Sequence, residues 1–319
     1  MKGVEMKCDL NMKMFLLISA IALAFTSYAH AEKVIAITVD DLPGWESQNQ
    51  NIQPFLRQIT DTLNAELIPA TGFVIGKLAA QSNVQIQSLH YWASHGLILA
   101  NHTWDHEKYS SQSVDEFLVS LNKTQAFLKP FQTQYGPWPF AFRFPMLNQG
   151  DTKKQEIAAN NYFFETQTML AHVSVDTSDW AFAQYYRDFL TTDFKKANKL
   201  TEIYLEHIFD CVSYAEEASD KIFSKQIPQI ILLHANQLNG KMMKSLIKGL
   251  RARGYSFISL EAALSSDVYL QFKYKIAYQT NDHFFYHMSK VLNKSLPSGP
   301  DRSSYEYFQT YWEKKISEL

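Results

Sequence analysis

The sequence has little cysteine and no excess of positive charge. Only Cys8 and Cys211 occur among 319 residues, and Cys8 lies in a segment that we expect to be removed, which excludes a disulfide within the mature monomer. The 30 Lys and Arg residues against 32 Asp and Glu residues leave a formal net charge of −2. That balance gives no indication of nucleic acid or anionic lipid as a partner. Because no disulfide can form within the mature monomer, stability must come from a packed core.

Long hydrophobic runs are also scarce, with one exception near the start. Residues 15–25 are largely apolar, Lys13 precedes them, and an A-x-A pattern follows at residues 29–31. These features predict a secretory signal peptide over residues 1–31, with an uncleaved N-terminal anchor as the alternative. No later run is long enough to cross a bilayer, so we expect a secreted or periplasmic protein with no stable membrane span after cleavage.

The sequence does contain a regular alternation of short apolar strands and amphipathic helices. This order predicts an α/β fold of parallel strands and helical crossovers, and a closed or nearly closed barrel fits better than an open sheet. We assign residues 32–265 to this barrel domain. The pattern is lost in residues 266–319, which we expect to be a C-terminal extension of unknown role. The strand candidates lie near residues 35, 73, 98, 142, 173 (covering residues 171–175), 231 and 257.

The first strand candidate, within residues 34–44, leads directly into two adjacent carboxylates. A buried strand would carry Asp40 and Asp41 to its C-terminal end, where α/β proteins place their chemistry. Successive side chains on a strand point in opposite directions, so we expect the two carboxylates to have different roles. A surface turn is the alternative, because Asp, Pro and Gly are turn residues.

Polar side chains also end four later strand candidates. His102 and His106 are four residues apart, which on a helical turn puts both rings on one face. With Asp41 they would form a three-ligand set typical of Zn²⁺, although such a histidine pair can be incidental. Thr103 stands where the HExxH motif has Glu, so the base must come from elsewhere, and Asp40 is adjacent. The other strand-end residues are Arg143, Asp176, Asp179 and His234.

Five short motifs, in order, resemble those of the polysaccharide deacetylases, carbohydrate esterase family four, which carry the NodB-homology domain. Two departures stand out: Leu42-Pro43 precede Gly44 in the first motif, and Leu147 replaces the usual Gly of the third. The motifs are T-V-D-D (38–41), H-T-W-D-H (102–106), R-F-P (143–145), D-T-S-D-W (176–180) and L-L-H (232–234).

The resemblance implies a distorted seven-stranded (β/α) barrel and a bound divalent metal, most often zinc. It implies that Asp41, His102 and His106 hold the metal. Asp40 would be the general base, and His234 the general acid. The expected substrate is an acetylated glycan. The acetyl groups removed are expected to be mainly N-acetyl groups. A hydrolase of non-peptide C–N bonds in a non-glycan substrate and a glycan-binding protein without turnover are the alternatives.

The resemblance also implies supporting roles around this centre. Arg143 would orient Asp40 and keep it ionised, and Asp179 would hold Arg143 or tune His234. The residues alone leave other interpretations open: a structural ion pair for Arg143, a helix N-cap for Asp179 and a satisfied buried histidine for His234. The expected substrate contacts are Pro145, the backbone N–H of Met146, which would stabilise an oxyanion, and Trp180, which would form a pocket wall.

Overall fold

Seven parallel strands form one curled sheet in the described residues of the computed structural model, which cover 32–45, 52–276 and 283–319. The spatial order is β5-β4-β3-β2-β1-β6, and β7 pairs with the N-terminal end of β1. The expected signal peptide lies outside the described residues. The strands are β1 Lys33–Leu42, β2 Ala70–Val74, β3 Ile98–Asn101, β4 Ala141–Phe142, β5 Met169–Leu170, β6 Gln229–His234 and β7 Tyr255–Phe257.

The chain beyond β5 completes the curl of the sheet. A parallel bridge joins Val175 to Ile231 of β6, and the backbone N–H of Leu232 donates to the carbonyl of Val175 at 3.0 Å. The two ends of the strand order thus approach each other. This arrangement confirms the predicted α/β class and the distorted barrel.

The fifth strand differs from its prediction over residues 171–175. The regular strand is Met169–Leu170, and only Val175 of the predicted segment pairs with the sheet. The hydroxyl of Ser174 accepts from the backbone N–H of Ile230 at 2.8 Å and donates to the Gln229 side chain at 2.7 Å. A side chain therefore takes the place of a ladder hydrogen bond, which the apolar pattern could not show.

Helices cover the sheet. A capping box is present, with the Ser113 hydroxyl accepting from the backbone N–H of Glu116. No helix of the described residues is long and apolar enough to cross a membrane. The helices are α1 Pro54–Ala65, α2 Gly76–Ala79, α3 Asn83–Ser94, α4 Val114–Tyr135, α5 Lys153–Thr166, α6 Asp179–Thr192, α7 Phe194–Phe223, α8 Gln237–Ala252, α9 Leu260–Leu264, α10 Asp267–Leu270, α11 Phe284–Val291, α12 Tyr305–Tyr307 and α13 Glu313–Ser317.

The C-terminal segment packs against the rest of the chain. Residues 33–319 form one compact unit, and Trp312 and Ile316 are buried in the main hydrophobic core. The boundary that we place between residues 265 and 266 remains a prediction, since loss of the strand–helix alternation does not by itself define a separate body.

The loop after β3 carries both histidines of the second motif, and it is not helical. Thr103 and His106 have positive φ angles of 65° and 58°, and the Thr103 hydroxyl accepts from the backbone N–H of His106 at 3.1 Å. The backbone N–H of Gly76 donates to the carbonyl of Thr103 at 3.1 Å, which joins the loop to α2. The predicted helical turn is therefore wrong, because hydrogen bonds outside the motif decide the backbone.

Gly76→Ala should destabilise the protein and disturb this loop. A Cβ at Gly76 would collide with the Trp104 ring and lie 2.7 Å from Oγ1 of Thr124. We expect a loss of about 1–3 kcal/mol in the free energy of unfolding, measured with urea. Gly249→Ala is the matched control, since its Cβ would collide with Phe209 on the distant α7. Both variants should lose stability, but only Gly76→Ala should lower zinc affinity; unchanged affinity would contradict the role of this contact.

Candidate metal and catalytic site

The end of β1 brings both carboxylates into one cavity of about 740 Å³. Asp41 has a positive φ of 63°, and the pairing of β1 with β2 shifts register between Val39 and Leu42. A bulge of this kind re-aims a side chain, so the simple alternation expected of a strand does not hold here. Asp40 and Asp41 are both largely buried, and each has its own set of partners.

Asp41 lies beside the two histidines of the second motif. Its Oδ1 is 3.5 Å from Nε2 of His102 and 3.2 Å from Nε2 of His106. This oxygen is buried without a hydrogen-bond partner, whereas Oδ2 accepts from the indole N–H of Trp45 at 2.7 Å. One ligand atom from each of the three residues lies within 4.8 Å of the others. The loop therefore brings together the predicted ligands without helical spacing.

The protonation states of these groups fit a divalent metal. Nδ1 of His102 lies 2.8 Å from the carbonyl oxygen of Arg143, which can only accept, so the ring proton sits on Nδ1 and Nε2 offers a lone pair. Burial, opposed by nearby carboxylates, lowers the pKa of His102 to about 4. Burial alone would raise the pKa of Asp41, but contact with His106 and the charges of His234, His106 and His102 hold it well below its usual range. A neutral His102 and an ionised Asp41 fit the donor set that zinc takes.

Asp40 forms a buried ion pair with Arg143. The guanidinium Nη1 donates to Oδ1 of Asp40 at 2.7 Å and to the hydroxyl of Thr38 at 2.8 Å. Burial lowers the pKa of Arg143, and the neighbouring Asp40 opposes that change. The guanidinium also lies 4.3 Å from the ring centroid of Phe73, which fixes its plane. Arg143 thus orients one oxygen of Asp40 and leaves Oδ2 at 3.7 Å from Nε2 of His102.

His234 lies beside Asp40 on the neighbouring strand, and its side chain is hydrogen-bonded to Asp179. The β1–β6 register sets His234 opposite Asp40, and Nδ1 of His234 lies 2.6 Å from Oδ1 of Asp179. Burial would lower the pKa of His234, but the charge and hydrogen bond of Asp179, with Asp41 and Asp40, raise it to about 10. Of the two partners predicted for Asp179, the structure shows His234. Asp179 is the first residue of α6 and Ser178 is the N-cap, so the N-cap interpretation does not hold.

Two asparagines that the sequence analysis did not assign support this pair. The side-chain amides of Asn236 and Asn239 both donate to Oδ2 of Asp179, which also accepts from the backbone N–H of His234 at 2.8 Å. These bonds, with the charge of His234, outweigh burial and lower the pKa of Asp179. The N-x-x-N spacing after the last motif was the available signal, since the Asn236 side chain also caps α8 by accepting from the backbone N–H of Asn239.

The three expected substrate contacts differ in burial: two line the cavity and one is buried away from it. Met146 and Trp180 line the cavity and are 49% and 39% exposed. Pro145 is buried, opens the 3₁₀ turn Pro145–Leu147 and is not among the residues that line the cavity. Leu147 has a positive φ of 50°, the backbone conformation that a glycine adopts without steric cost. The third motif thus keeps a left-handed backbone despite the replacement.

His102→Ala should remove one of the three candidate metal ligands. The expected result is a fall in zinc affinity of at least about 100-fold, because loss of a mere supporting contact already costs 10- to 100-fold in such sites. Elemental analysis after dialysis against limiting zinc measures the effect. His95→Ala, at the C-terminal end of α3, is the control and should retain full zinc stoichiometry. Equal zinc content in the wild type, His102→Ala and His95→Ala would refute the site.

Comparisons with known proteins agree with this geometry. A family model described as "Polysaccharide deacetylase" matches residues 27–164. A peptidoglycan-N-acetylglucosamine deacetylase of Listeria monocytogenes is 29% identical over 48% of this chain and 28% of its own length. A peptidoglycan-N-acetylglucosamine deacetylase of Bacillus cereus is 28% identical over 50% of this chain and 50% of its own length.

The chain therefore matches at most about half the length of these two curated relatives. Among solved structures, a peptidoglycan deacetylase of Bacillus subtilis is 21% identical, with a TM-score of 0.48 over 73% of this chain and 92% of that chain. The family match takes in the first three motifs, and the resemblance seen in the sequence is confirmed. Residues 27–164 of this chain are thus similar to the polysaccharide deacetylase family.

Proposed function

We propose that this protein is a metal-dependent hydrolase that removes acetyl groups, mainly N-acetyl groups, from a carbohydrate. The supporting observation is that one cavity holds the Asp41–His102–His106 cluster together with two oriented titratable groups. Asp40 is oriented by an arginine, and His234 by a carboxylate. An oriented carboxylate and an oriented imidazole beside a metal site are the parts that amide hydrolysis requires.

A divalent metal held by Asp41, His102 and His106, with zinc the best fit to these ligands, would polarise the acetyl carbonyl and make a water molecule acidic. Asp40 accepts the proton of the attacking water. Its Oδ1 is held by Arg143, so Oδ2 is the oxygen available for this transfer.

His234 donates a proton to the leaving nitrogen of the sugar. This donation is needed because an amide anion is a very poor leaving group. Since Nδ1 is engaged by Asp179, the transferable proton is the one on Nε2. The backbone N–H of Met146 is proposed to stabilise the oxyanion, and the Trp180 ring to form one wall of the sugar site.

Acetylated glycans are the proposed substrates, and similarity to two peptidoglycan-N-acetylglucosamine deacetylases favours N-acetylglucosamine in peptidoglycan. A substrate in the bacterial wall agrees with the secreted or periplasmic location that the predicted signal peptide implies. The two alternatives, hydrolysis of a non-glycan C–N bond and glycan binding without turnover, predict other outcomes in the same assay.

Acetate release from a panel of compounds tests the proposal. The panel contains N-acetylated and O-acetylated sugars and the acetamide of a simple amine, each with chelator, without it, and with zinc restored. Release from N-acetylated sugars that chelator abolishes and zinc restores is the expected result. Release from the simple acetamide alone would support the non-glycan alternative. Glycan binding without any release would support the binding protein.

Asp40→Asn should abolish most of the activity and leave zinc binding intact. The amide cannot accept the proton of water at neutral pH, so kcat/KM should fall by about 10²- to 10⁴-fold. Zinc content and the thermal unfolding midpoint are measured in parallel, because the neutral side chain still accepts from Arg143. Asp151→Asn, at an exposed position before α5, is the control. Turnover near that of the wild type would overturn the assignment of the base.

Asp179→Asn should shift the alkaline limb of the pH–rate profile to lower pH. His234 is active as an acid only while protonated, and Asp179 is the main reason that its pKa is raised. Without this carboxylate, burial favours the neutral ring, and kcat/KM should begin to fall at a lower pH than in the wild type. NMR titration of His234 gives the same pKa independently of activity. A profile that does not move would refute the acid role of His234.

A further inference from the structure

The wall of the cavity includes a side chain from the C-terminal segment. Tyr305 lines the same cavity as Asp40 and His234, although it lies in residues 266–319, to which the sequence analysis assigned no role. It is 43% exposed, and Trp180 beside it is 39% exposed. Trp45 and Met146 are the other large apolar side chains that line the cavity with more than a third of their surface exposed. Apolar surface left open in a cavity marks a ligand site.

Tyr305 and Trp180 form a paired aromatic surface. Their ring centroids are 4.9 Å apart and the ring planes differ by 32°. The Tyr305 ring also lies 5.7 Å from that of Phe308, with an interplanar angle of 9°. Two adjacent rings that are each partly exposed present more apolar area than a single wall residue. The C–H face of a pyranose ring is a natural partner for such a surface, because aromatic rings combine apolar area with an electron-rich face.

Packing fixes the position of Tyr305. Phe308 is buried and its ring lies 5.0 Å from that of Phe182 on α6. Upstream, Nη1 of Arg302 contacts Asp210 at 3.0 Å and its Nη2 contacts Glu217 at 2.6 Å, and both carboxylates lie on α7. Tyr305 is therefore held between two anchored points, and little freedom is lost when a ligand stacks on it.

The aromatic pair is adjacent along the chain to the group that orients the proposed proton donor. Trp180 directly follows Asp179, the partner of His234, and His234 is the proposed donor to the sugar nitrogen. From Trp180 the exposed side of α6 continues along the cavity through Gln184 to Arg187. Seven residues of α-helix span about 10 Å, which is longer than one sugar ring. The groove thus extends beyond the sugar that loses its acetyl group.

We infer that Tyr305 of the C-terminal segment, beside Trp180, completes a sugar-binding subsite next to the reacting residue. The inference rests on the proposed function and deepens it. It assigns the C-terminal segment a role in substrate selection: the segment supplies a specificity-determining ring. A short glycan would reach the metal and His234 without touching Tyr305, whereas a longer one would cover both rings.

The test compares variants of Tyr305 on substrates of different length. Wild type, Tyr305→Ala, Tyr305→Leu and Tyr305→Phe are assayed for acetate release from N-acetylglucosamine itself and from a longer oligomer of β-linked N-acetylglucosamine. Tyr311→Ala is the matched control, since Tyr311 is an equally exposed tyrosine of the same segment, stacks on Tyr307 and does not line the cavity. Thermal unfolding confirms that each variant folds, and Tyr305→Leu keeps apolar bulk should the alanine variant unfold.

For the long oligomer, Tyr305→Ala and Tyr305→Leu should lower kcat/KM by about tenfold, mainly through KM, as expected for loss of one stacking contact. For the monosaccharide, which leaves the adjacent subsite empty, all variants should match the wild type. Tyr305→Phe and Tyr311→Ala should behave as wild type on both substrates. An equal loss on both substrates, an equal loss in Tyr311→Ala, or no loss on the long oligomer would overturn the inference while leaving the deacetylase proposal intact.

Calorimetric titration with the long oligomer separates the two proposals. If the wild type releases no acetate from any sugar but binds the oligomer, and Tyr305→Leu weakens that binding about tenfold, the subsite stands and the proposed catalysis fails. If the wild type neither binds nor deacetylates the oligomer, both are wrong.

Discussion

Two adjacent carboxylates buried at the end of one strand are the constraint on which the rest of the site depends. An ionised carboxylate without a partner is very costly in a protein interior. Asp40 and Asp41 lie side by side in β1, so one partner group cannot satisfy both. The bulge at Asp41 divides them: Asp40 receives the Arg143 guanidinium, and Asp41 turns toward His102 and His106. The proposed division of roles between base and ligand follows from this backbone irregularity.

Sheet register then places the remaining chemistry. Parallel pairing sets His234 of β6 opposite Asp40 of β1, so the proposed proton donor and the proposed proton acceptor face one cavity from neighbouring strands. Arg143 follows β4 at the same edge, and its backbone carbonyl fixes the proton of His102 on Nδ1. One residue thus orients the proposed base with its side chain and a candidate metal ligand with its main chain. Its nearly complete burial in a polar cluster is explained by these two contacts.

Helix α6 connects the catalytic centre to the proposed sugar subsite. Its first residue, Asp179, is fully buried against His234, and its second, Trp180, is exposed to the cavity. The same helix packs through Phe182 on Phe308 of the C-terminal segment. Movement of that segment would therefore affect both the subsite ring of Tyr305 and the helix that carries the partner of His234. This coupling is a reason for the segment to be packed into the main core.

The sequence by itself determined the α/β class, the strand ends and the chemical identity of the site. Apolar runs ending in Asp, His and Arg are local features, and the order of such ends in a parallel sheet follows from topology. Asp41, His102 and His106 could be grouped on chemistry alone. The distorted barrel was predicted because strands and helices alternate along the chain, and the structure agrees.

The tertiary structure decided what depends on contacts between distant residues. The histidine loop is not helical, because Gly76 and Lys77 bind its carbonyls, and sequence spacing carries no information on those bonds. Asp179 had two possible partners, and packing of α6 against β6 selected His234. Ser174 replaced a strand hydrogen bond with its side chain. Tyr305 reached the cavity only because Arg302, Phe308 and Trp312 anchor the C-terminal segment, and no local pattern within that segment encodes where the rest of the chain will meet it.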